Sequence, residues 1–554
     1  MNRRLRPLAA AVLAVGLLAG CASIPTSGTV QSAAIEVDRD DPSSTSLPEG
    51  PQTGQGTEDL LRGFIRAGRG PQNNYQIAHE FLAPGTSWNG ADRVLVTTSQ
   101  IQPDVVDDDT VALTLTIVAE VDAAGRYVEL PTPTTQTLEY DFTVVDGEWR
   151  IVDPPAGTVL SRNGFSVTFD EYPLYFFDPS YGFLVPDVRW FPQRNTRTIA
   201  NRIVTELLAG PTPWLGSGVL LSAFPVGVTG RAEPSDVSGV DVDLSSGVRA
   251  ESPTAQLRMI QQLRASLRSI TTVSESDIVI TAEGLSLAPA AEEVVPDSRY
   301  LVRAGEVIGG RDGAFGVLAA DRVLPLPEFE GIPDELGPVA ASLSRDRSAL
   351  AVLGTRGVSL VTSAGPQIVD DRAGLIAPTI DPFGFVWSVP AGSPAGLQAM
   401  GEDGIPHPLD IAADGTVRAI ELSRDGSRLL VALDTATGPR LLVIGVLRDA
   451  ELAPVQLHTP FELRSPGTAL DIAWVDGERI AVLVDAETGP SVQVLVLGGP
   501  TTPLGSVDDG TAIVGGNGED GLRVLTSEGV VLRFTSVGNW APTTLLASFL
   551  ATQQ

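Results

Sequence analysis

The C-terminal half of the chain repeats a short pattern in which an apolar strand, a polar turn and a second apolar strand follow one another. The turn markers of this pattern lie 37, 42, 51 and 41 residues apart, at Asp346, Phe383, Asp425, Asp476 and Asn517. A repeat of about 40–45 residues is typical of one β-propeller blade, a sheet of four short strands. Radial closure leaves few strand edges open. The pattern therefore predicts an all-β propeller over residues 300–554 with five or six blades, and a pair of β-sandwiches is the alternative.

The N-terminus has the three parts of an export signal. Three arginines within the first six residues precede an apolar run, residues 8–18, which is too short to span a bilayer. The run ends in small residues and the only cysteine of the chain, in the order Leu18-Ala19-Gly20-Cys21. This ending resembles the lipobox of bacterial lipoproteins. An ordinary secretory signal with an incidental cysteine is the alternative.

The lipobox resemblance implies that residues 1–20 are a lipoprotein signal peptide, removed by cleavage after Gly20. Cys21 then carries an S-diacylglyceryl group and an N-linked acyl chain such as palmitate, and two or more acyl chains anchor a protein stably. Residues 21–56 are rich in Ser, Thr, Pro, Gly and Asp, which predicts a flexible lipidated tether. An extended arm packed on the first domain is the alternative. We expect a protein held by its lipid on the extracytoplasmic face of the cell membrane.

The net charge and the amino-acid composition exclude some partners and some kinds of catalysis. The formal net charge is −31 at pH 7, so the surface repels phosphate backbones and nucleic acid is not an expected partner. The sequence contains no lysine. This absence excludes P-loop, Schiff-base and Ser-x-x-Lys chemistry.

The first folded unit is predicted over residues 57–160. Thr57 has the position of a helix N-cap, and the apolar residues that follow recur at helical spacing, as do those of a second helix within 75–82. From Val111 onward the apolar residues alternate, which indicates strands, and Asp146-Gly147 predicts a hairpin turn between strands 136–145 and 148–152. Helices followed by a curved antiparallel sheet resemble the α+β NTF2-like fold. We expect Phe142 and Trp149 in its core.

The second unit is predicted over residues 196–290. An amphipathic helix ends at Ala209-Gly210-Pro211, and a strand follows at 240–244. Ser252-Pro253 begins a second helix with an apolar face, before the strand 278–280. This order, with Phe224-Pro225-Val226-Gly227-Val228 between the first helix and the strand, resembles the α+β GerMN module of sporulation and germination proteins. Asp241 and Asp243 share one strand face, and we interpret them as a solvated edge rather than a metal site or a catalytic pair.

The whole chain resembles the LpqB lipoprotein family of actinobacteria. The resemblance rests on the lipobox, the two α+β units, the propeller and the segment Cys21-Ala22-Ser23-Ile24-Pro25-Thr26-Ser27-Gly28. It implies a multidomain, non-catalytic accessory of the MtrA–MtrB two-component system. Such a protein would bind the extracytoplasmic part of the sensor kinase and influence cell division and envelope homeostasis.

An enzyme is the competing hypothesis. The three histidines, His79, His407 and His458, lie in three different segments, and no Gly-x-Ser-x-Gly motif occurs. The sequence therefore predicts no catalytic, metal-binding or cofactor-binding residue. Two carboxylates in the propeller channel could still act on an envelope polymer as a glycosidase pair, and a cell-wall or small-ligand binding protein is a further alternative. The run 107–109 is interpreted as a solvated turn, with calcium binding as its alternative.

Overall fold

The structure is a computed structural model that describes residues 48–71, 74–98, 101–192, 196–234, 239–270, 278–287, 307–311, 314–319, 322–329, 336–516 and 518–554. The predicted signal peptide, Cys21, most of the tether and the turn marker Asn517 lie outside the described residues. The fold class follows the prediction: an α+β N-terminal region, a GerMN-like domain and a β-rich propeller domain.

The N-terminal region combines three short helices with one sheet. The helices are α1 (Thr57–Ala67), α2 (Gln76–His79) and α3 (Arg162–Thr168). The strands are β1 (Arg93–Thr97), β2 (Pro103–Val105), β3 (Thr110–Asp122), β4 (Tyr127–Val145), β5 (Glu148–Val152) and β6 (Thr158–Ser161). The sheet order is β5-β4-β3-β1-β6, with β2 beside β3. Only the β1–β6 pair is parallel among these described strands.

The core of this region has the residues that the sequence predicts. Leu60, Leu61 and Phe64 of α1 are buried against Leu113 and Leu115 of β3. Phe142 is buried and Trp149 packs against the same core. The helix cap was predicted wrongly: Thr57 is already helical, and the N-cap position is held by Gly56 without a side-chain hydrogen bond. Glycine is tolerated there because it leaves the first N–H groups open to water.

A hairpin joins the N-terminal region to the next domain. It consists of β7 (Phe169–Phe177) and β8 (Leu184–Pro192), in a segment that the sequence left unassigned. Successive side chains of a strand point to opposite faces. Val188 and Trp190 therefore pack into the N-terminal core, while Val185 and Phe191 pack into the core of the GerMN-like domain. The hairpin therefore contributes one face to the core of each domain.

The GerMN-like domain is a four-stranded sheet with two helices. Its elements are α4 (Thr196–Ala209), β9 (Gly230–Pro234), β10 (Val240–Leu244), α5 (Pro253–Leu267), β11 (Ile278–Ala282) and β12 (Leu285–Ser286). The order is β12-β11-β10-β9, and the parallel pair β10–β11 is connected through α5. Ser252 caps α5 as predicted, since its Oγ accepts a hydrogen bond from the backbone N–H of Ala255. Ile260, Leu263 and Leu267 form the buried face of α5.

The described residues of the propeller form six sheets, each antiparallel. Blade 1 contains β13 (Val307–Arg311), β14 (Ala314–Ala319) and β15 (Arg322–Pro325). Blade 2 contains β16 (Ala340–Leu343), β17 (Leu350–Gly354), β18 (Gly357–Thr362) and β19 (Gly365–Asp370). Blade 3 contains β20 (Thr379–Ile380), β21 (Val386–Ser388), β22 (Gln398–Met400) and β23 (Pro406–Pro408).

The later blades have longer strands. Blade 4 contains β24 (Thr416–Leu422), β25 (Arg428–Thr435), β26 (Gly438–Arg448), β27 (Pro454–Leu457) and β28 (Phe461–Leu463). Blade 5 contains β29 (Thr468–Trp474), β30 (Arg479–Asp485), β31 (Ser491–Val496) and β32 (Thr501–Ser506). Blade 6 contains β33 (Gly510–Val514), β34 (Arg523–Thr526), β35 (Val530–Ser536) and β36 (Asn539–Leu546).

The final strand closes the ring. Strand β37 (Phe549–Thr552) pairs with β13 and supplies the innermost strand of blade 1. It also lies beside β16, the innermost strand of blade 2, and Gln554 N–H donates to the Leu343 carbonyl. The described residues thus settle the blade number at six, within the range that the sequence left open.

The four turn markers within the described residues lie between the first and second strands of their blades, as the sequence predicts: Asp346, Phe383, Asp425 and Asp476. Asp425 accepts hydrogen bonds from the Ser423 hydroxyl and from the backbone N–H of Ser427. Asp346 does the same with Ser344 and Ser348 in blade 2. A short polar side chain that bonds its own backbone two residues on favours a tight turn. The repeated Ser-Arg-Asp sequence therefore stabilises the turn between the first two strands of these blades.

Candidate functional site

The N-terminal region and the propeller are joined through a buried carboxylate. Glu129 of β4 accepts hydrogen bonds from Arg464, at 3.1 Å, and from the Thr501 hydroxyl, at 2.6 Å, both in the propeller. Arg162 of α3 lies 3.4 Å from the same carboxylate. The Glu129 side chain is 7% exposed, so its charge depends on these partners. The bonds from Arg464 and Thr501 fix β4 against blades 4 and 5, and Arg162 joins β4 to α3 within the N-terminal region.

Aromatic side chains make two further contacts with the propeller. The Trp190 indole N–H of the hairpin donates to the Gly498 carbonyl at 2.7 Å. Trp214, which follows α4, stacks on Phe461 of β28 with ring centroids 5.2 Å apart and an interplanar angle of 8°. Stacked aromatic pairs contribute about 1 kcal/mol beyond the area that they bury. The hairpin, the GerMN-like domain and the propeller are thus packed as one body.

A half-open cleft lies where these contacts converge, and we call it the junction cleft. Its volume is about 750 Å³. The wall is formed by β3 and β4 of the N-terminal region, by β8, by the segment 212–215 and by blades 4 and 5. Binding sites for small molecules commonly have 300–1,000 Å³ and lie between domains. The junction cleft has both properties.

The charged residues of the junction cleft differ in how they are paired. Arg126 contacts Asp122 at 3.5 Å. Asp187 accepts hydrogen bonds from Arg189 and from the hydroxyl and backbone N–H of Thr212. Glu120 and Arg93 form no side-chain hydrogen bond or ion pair within the described part of the chain. They are half-buried and face a space large enough for a ligand.

Two carboxylates on the innermost strands of the propeller are the candidates for the enzyme hypothesis. Glu421 of β24 and Asp471 of β29 lie in neighbouring innermost strands. Burial raises the pKa of Glu421 to about 8 against the opposing effect of the Arg424 guanidinium, and burial raises the pKa of Asp471 to about 7. Carboxyl groups with such pKa values are candidates for acid–base catalysis.

Both channel carboxylates accept hydrogen bonds from backbone N–H groups of the propeller. Glu421 accepts a hydrogen bond from the backbone N–H of Trp474, and Asp471 accepts from the backbone N–H groups of Ile472 and Ile513. Arg424 donates to the carbonyls of Gly515 and Gln553 across the ring. These bonds link blades 4, 5 and 6 to the end of the chain, which is a structural role.

The other sequence candidates are separate from one another. His79 packs edge-on against Trp88, and His407 packs edge-on against Phe385, each within its own domain. Nδ1 of His458 is buried without a hydrogen-bond partner in the described residues. Among those residues no group of three His, Cys, Asp or Glu side chains could hold a metal ion.

The interpretation of Asp241 and Asp243 needs a correction. Both are exposed on one face of β10, but β10 is an interior strand between β9 and β11, not an edge. Asp243 accepts hydrogen bonds from the Thr281 hydroxyl at 2.6 Å and from Gly284 N–H at 2.8 Å. These bonds lower its pKa, the Thr281 bond most. The sheet leaves this face uncovered, which is why an interior strand can carry two carboxylates.

Sequence reasoning missed the junction cleft. Its aromatic pair, Trp214 and Phe461, comes from two domains, and Glu120 comes from a third. A local signal is Trp214, a large apolar side chain directly after the turn-forming stretch Pro211-Thr212-Pro213. The channel carboxylates had a clearer signal, because Glu421 and Asp471 interrupt apolar strands at similar places in the repeat.

Cys21 and the cleavage site after Gly20 lie outside the described residues, so the lipidation prediction stays a prediction. Within the residues that the structure describes, no helix is long and apolar enough to cross a membrane.

Three family models match consecutive parts of the chain. The model described as "Lipoprotein LpqB, N-terminal domain" matches residues 50–166, and "Sporulation and spore germination" matches residues 173–288. The model described as "Lipoprotein LpqB beta-propeller domain" matches residues 313–548. Among solved structures, the tandem GerMN domains of GerM from Bacillus subtilis match 27% of this chain and 59% of that chain. The identity is 12% and the TM-score is 0.19, too low to support an inference.

Curated relatives match over most of their length. Lipoprotein LpqB of Thermobifida fusca is 26% identical, over 91% of this chain and 92% of the relative. Lipoprotein LpqB of Nocardia farcinica is 26% identical, over 90% and 89%, and that of Bifidobacterium longum is 27% identical, over 81% of each. The names of these relatives describe no enzyme. The chain belongs to the LpqB lipoprotein family.

Proposed function

We propose that this protein is a lipid-anchored, non-catalytic accessory that binds the sensor kinase of the MtrA–MtrB two-component system. Through that binding it modulates signalling in cell division and envelope homeostasis. The observation that carries the proposal is the packing of three domains into one body through Glu129, Trp190 and Trp214. Domains within a chain usually move relative to one another. A body held by buried contacts instead keeps a composite surface in place, which lowers the cost of recognising a folded partner.

The anchor is part of the proposed mechanism. Cleavage after Gly20 and acylation of Cys21 would hold the body at the extracytoplasmic face of the cell membrane. A tether of about 35 residues has a root-mean-square reach on the order of 30 Å. This confinement raises the effective concentration of a kinase ectodomain that stands in the same layer. The names of the curated relatives, all lipoproteins, support this part of the proposal.

Binding rather than catalysis is supported by how the reactive groups are used. The channel carboxylates accept backbone hydrogen bonds from neighbouring blades. His79 and His407 pack against aromatic rings in different domains. A nucleophilic triad needs a histidine beside a serine and a carboxylate. The described residues offer no such arrangement.

The test is a binding assay with the purified kinase ectodomain and the chain from residue 22 onward, so that no lipid contributes. Saturable binding of the ectodomain is the expected result. Glu129→Ala should weaken binding by loosening the composite surface, while Glu139→Ala, an exposed position on the same strand, should not. Absence of any binding by the unmodified chain would contradict the proposal.

The raised pKa values of Glu421 and Asp471 favour one second candidate, hydrolysis of an envelope polymer in the channel. A channel enzyme would release fragments from purified envelope, and Glu421→Gln would abolish that release. If the wild-type chain releases no fragments, this candidate fails while the binding proposal stands.

A further inference from the structure

The junction cleft has an assembled apolar wall. Leu215, Leu497 and Val188 are buried in it, and the stacked rings of Trp214 and Phe461 are half-buried beside them. These residues come from two domains and the hairpin, so the wall exists only in the packed body. An apolar surface that stays partly open in a cavity of about 750 Å³ can bury the body of a small molecule.

The polar side of the cleft is formed by the N-terminal region. Glu120 lies opposite Val128 in the pairing of β3 with β4, and Asp92 is an exposed lining residue of the cleft, next to Arg93 in the sequence. Asp122 and Arg126 compensate each other. Asp92 and Glu120 carry two negative charges and Arg93 carries one positive charge, so this side of the cleft has a net negative charge.

The net charge of the whole protein also favours a cation over an anion in the cleft. A net charge of −31 raises the local concentration of cations around the body. The outer faces of the stacked Trp214 and Phe461 rings also favour cations, because the face of an aromatic ring carries negative potential. An anion would face repulsion from Asp92, Glu120 and the overall field.

We propose that the junction cleft is a binding site for an amphipathic organic cation, whose apolar body packs against Trp214, Phe461 and Leu497 while its positive group is held by Glu120 and Asp92. The site is independent of the kinase-binding proposal. It requires all three domains, because each contributes a part that the others lack.

The first experiment compares two probes with the same ring system and opposite charge, 1-pyrenemethylammonium and 1-pyrenesulfonate. Each is titrated into the chain from residue 22 onward and followed by calorimetry. The ammonium probe is expected to bind at one site, at least tenfold more tightly than the sulfonate. Equal or tighter binding of the sulfonate, or no binding of either probe, would overturn the proposal.

The second experiment places the site. Val128 lies in the cleft wall and is 38% exposed, whereas Val144 is 55% exposed on the same strand and is not part of the wall. Val128→Trp should fill the cleft and reduce binding of the ammonium probe at least tenfold, and Val144→Trp should leave binding unchanged. Equal binding by both variants would place the probe elsewhere and refute the assignment.

The charge contribution is tested with isosteric changes, which do not depend on repacking. Glu120→Gln should weaken binding of 1-pyrenemethylammonium several-fold and leave binding of 1-pyrenesulfonate equal or tighter. Glu139→Gln, on the exposed part of β4, is the matched control and should change neither. Unchanged cation binding in Glu120→Gln would exclude Glu120 as the group that holds the positive charge.

Discussion

The Glu129 carboxylate accepts a hydrogen bond from the Arg464 guanidinium at 3.1 Å, although 335 residues separate the two along the chain. The same carboxylate binds Thr501 and lies near Arg162. Buried charge of this kind stabilises only while every partner is in place. The N-terminal region is therefore fully stable only when the propeller is folded against it and supplies these partners.

Removal of this carboxylate should uncouple the domains. Glu129→Ala leaves Arg162 and Arg464 without their acceptor, and because both are about one third exposed, water partly replaces it. We expect a loss of about 2 kcal/mol in the free energy of unfolding and a broader or split calorimetric transition. Glu139→Ala should behave as wild type. One sharp transition at the wild-type temperature in Glu129→Ala would contradict this role.

Leu263→Asp should destabilise the GerMN-like domain. Leu263 is fully buried on the inner face of α5, and a carboxylate there has no partner. The expected loss is on the order of 4 kcal/mol. Leu285→Asp is the control, since Leu285 is 59% exposed in the same domain. Thermal unfolding of the two variants gives the comparison, and equal melting temperatures would count against the buried face of α5.

Glu421 should make stability depend on pH. Its pKa is raised in the folded protein, so the folded state binds a proton that the unfolded state releases above about pH 4.5. The contribution of this group to stability is therefore complete below that pH and is lost as the pH rises to about 8. Glu421→Gln should remove a slope of roughly 1 kcal/mol per pH unit from denaturant-derived free energies in this window. Identical slopes in wild type and variant would refute the assignment.

Cys21→Ser should abolish lipid attachment. The hydroxyl cannot replace the thiol as the acceptor of the diacylglyceryl group, so the precursor should remain uncleaved or become mislocalised. Metabolic labelling with a fatty acid, with cell fractionation, measures both effects. A substitution at Ser23, two residues beyond Cys21, provides the control. Normal labelling of Cys21→Ser would refute the lipobox assignment.

The sequence predicts those features that depend on residues close together in the chain, such as turns and the apolar faces of helices. The Ser-Arg-Asp turns of blades 2 and 4 are visible because Asp346 and Asp425 bond residues two positions away. The face of α5 is visible because Leu263 and Leu267 recur at helical spacing. The N-cap at Thr57 was misplaced because serine and threonine favour that position without determining it, and Gly56 occupies it.

Properties that depend on packing between domains were not predictable in this way. Glu120, Trp214 and Phe461 come together only after β3, the segment following α4 and β28 are placed by their own cores. A single sequence contains no signal that relates them. The alternating hairpin β7–β8 is similar, since only the two cores on either side show why both of its faces are apolar.

The pairing of β13 with β37 has a consequence for biogenesis. The chain is synthesised with its N-terminus first, so blade 1 is made early without its innermost strand, and that strand is made last. Long-range strand pairing is slow because the intervening chain must first be ordered. Until then, Ile308 and the facing apolar side chains remain accessible to chaperones and proteases. Ring closure therefore requires the complete chain, and a chain truncated before β37 would keep blade 1 open.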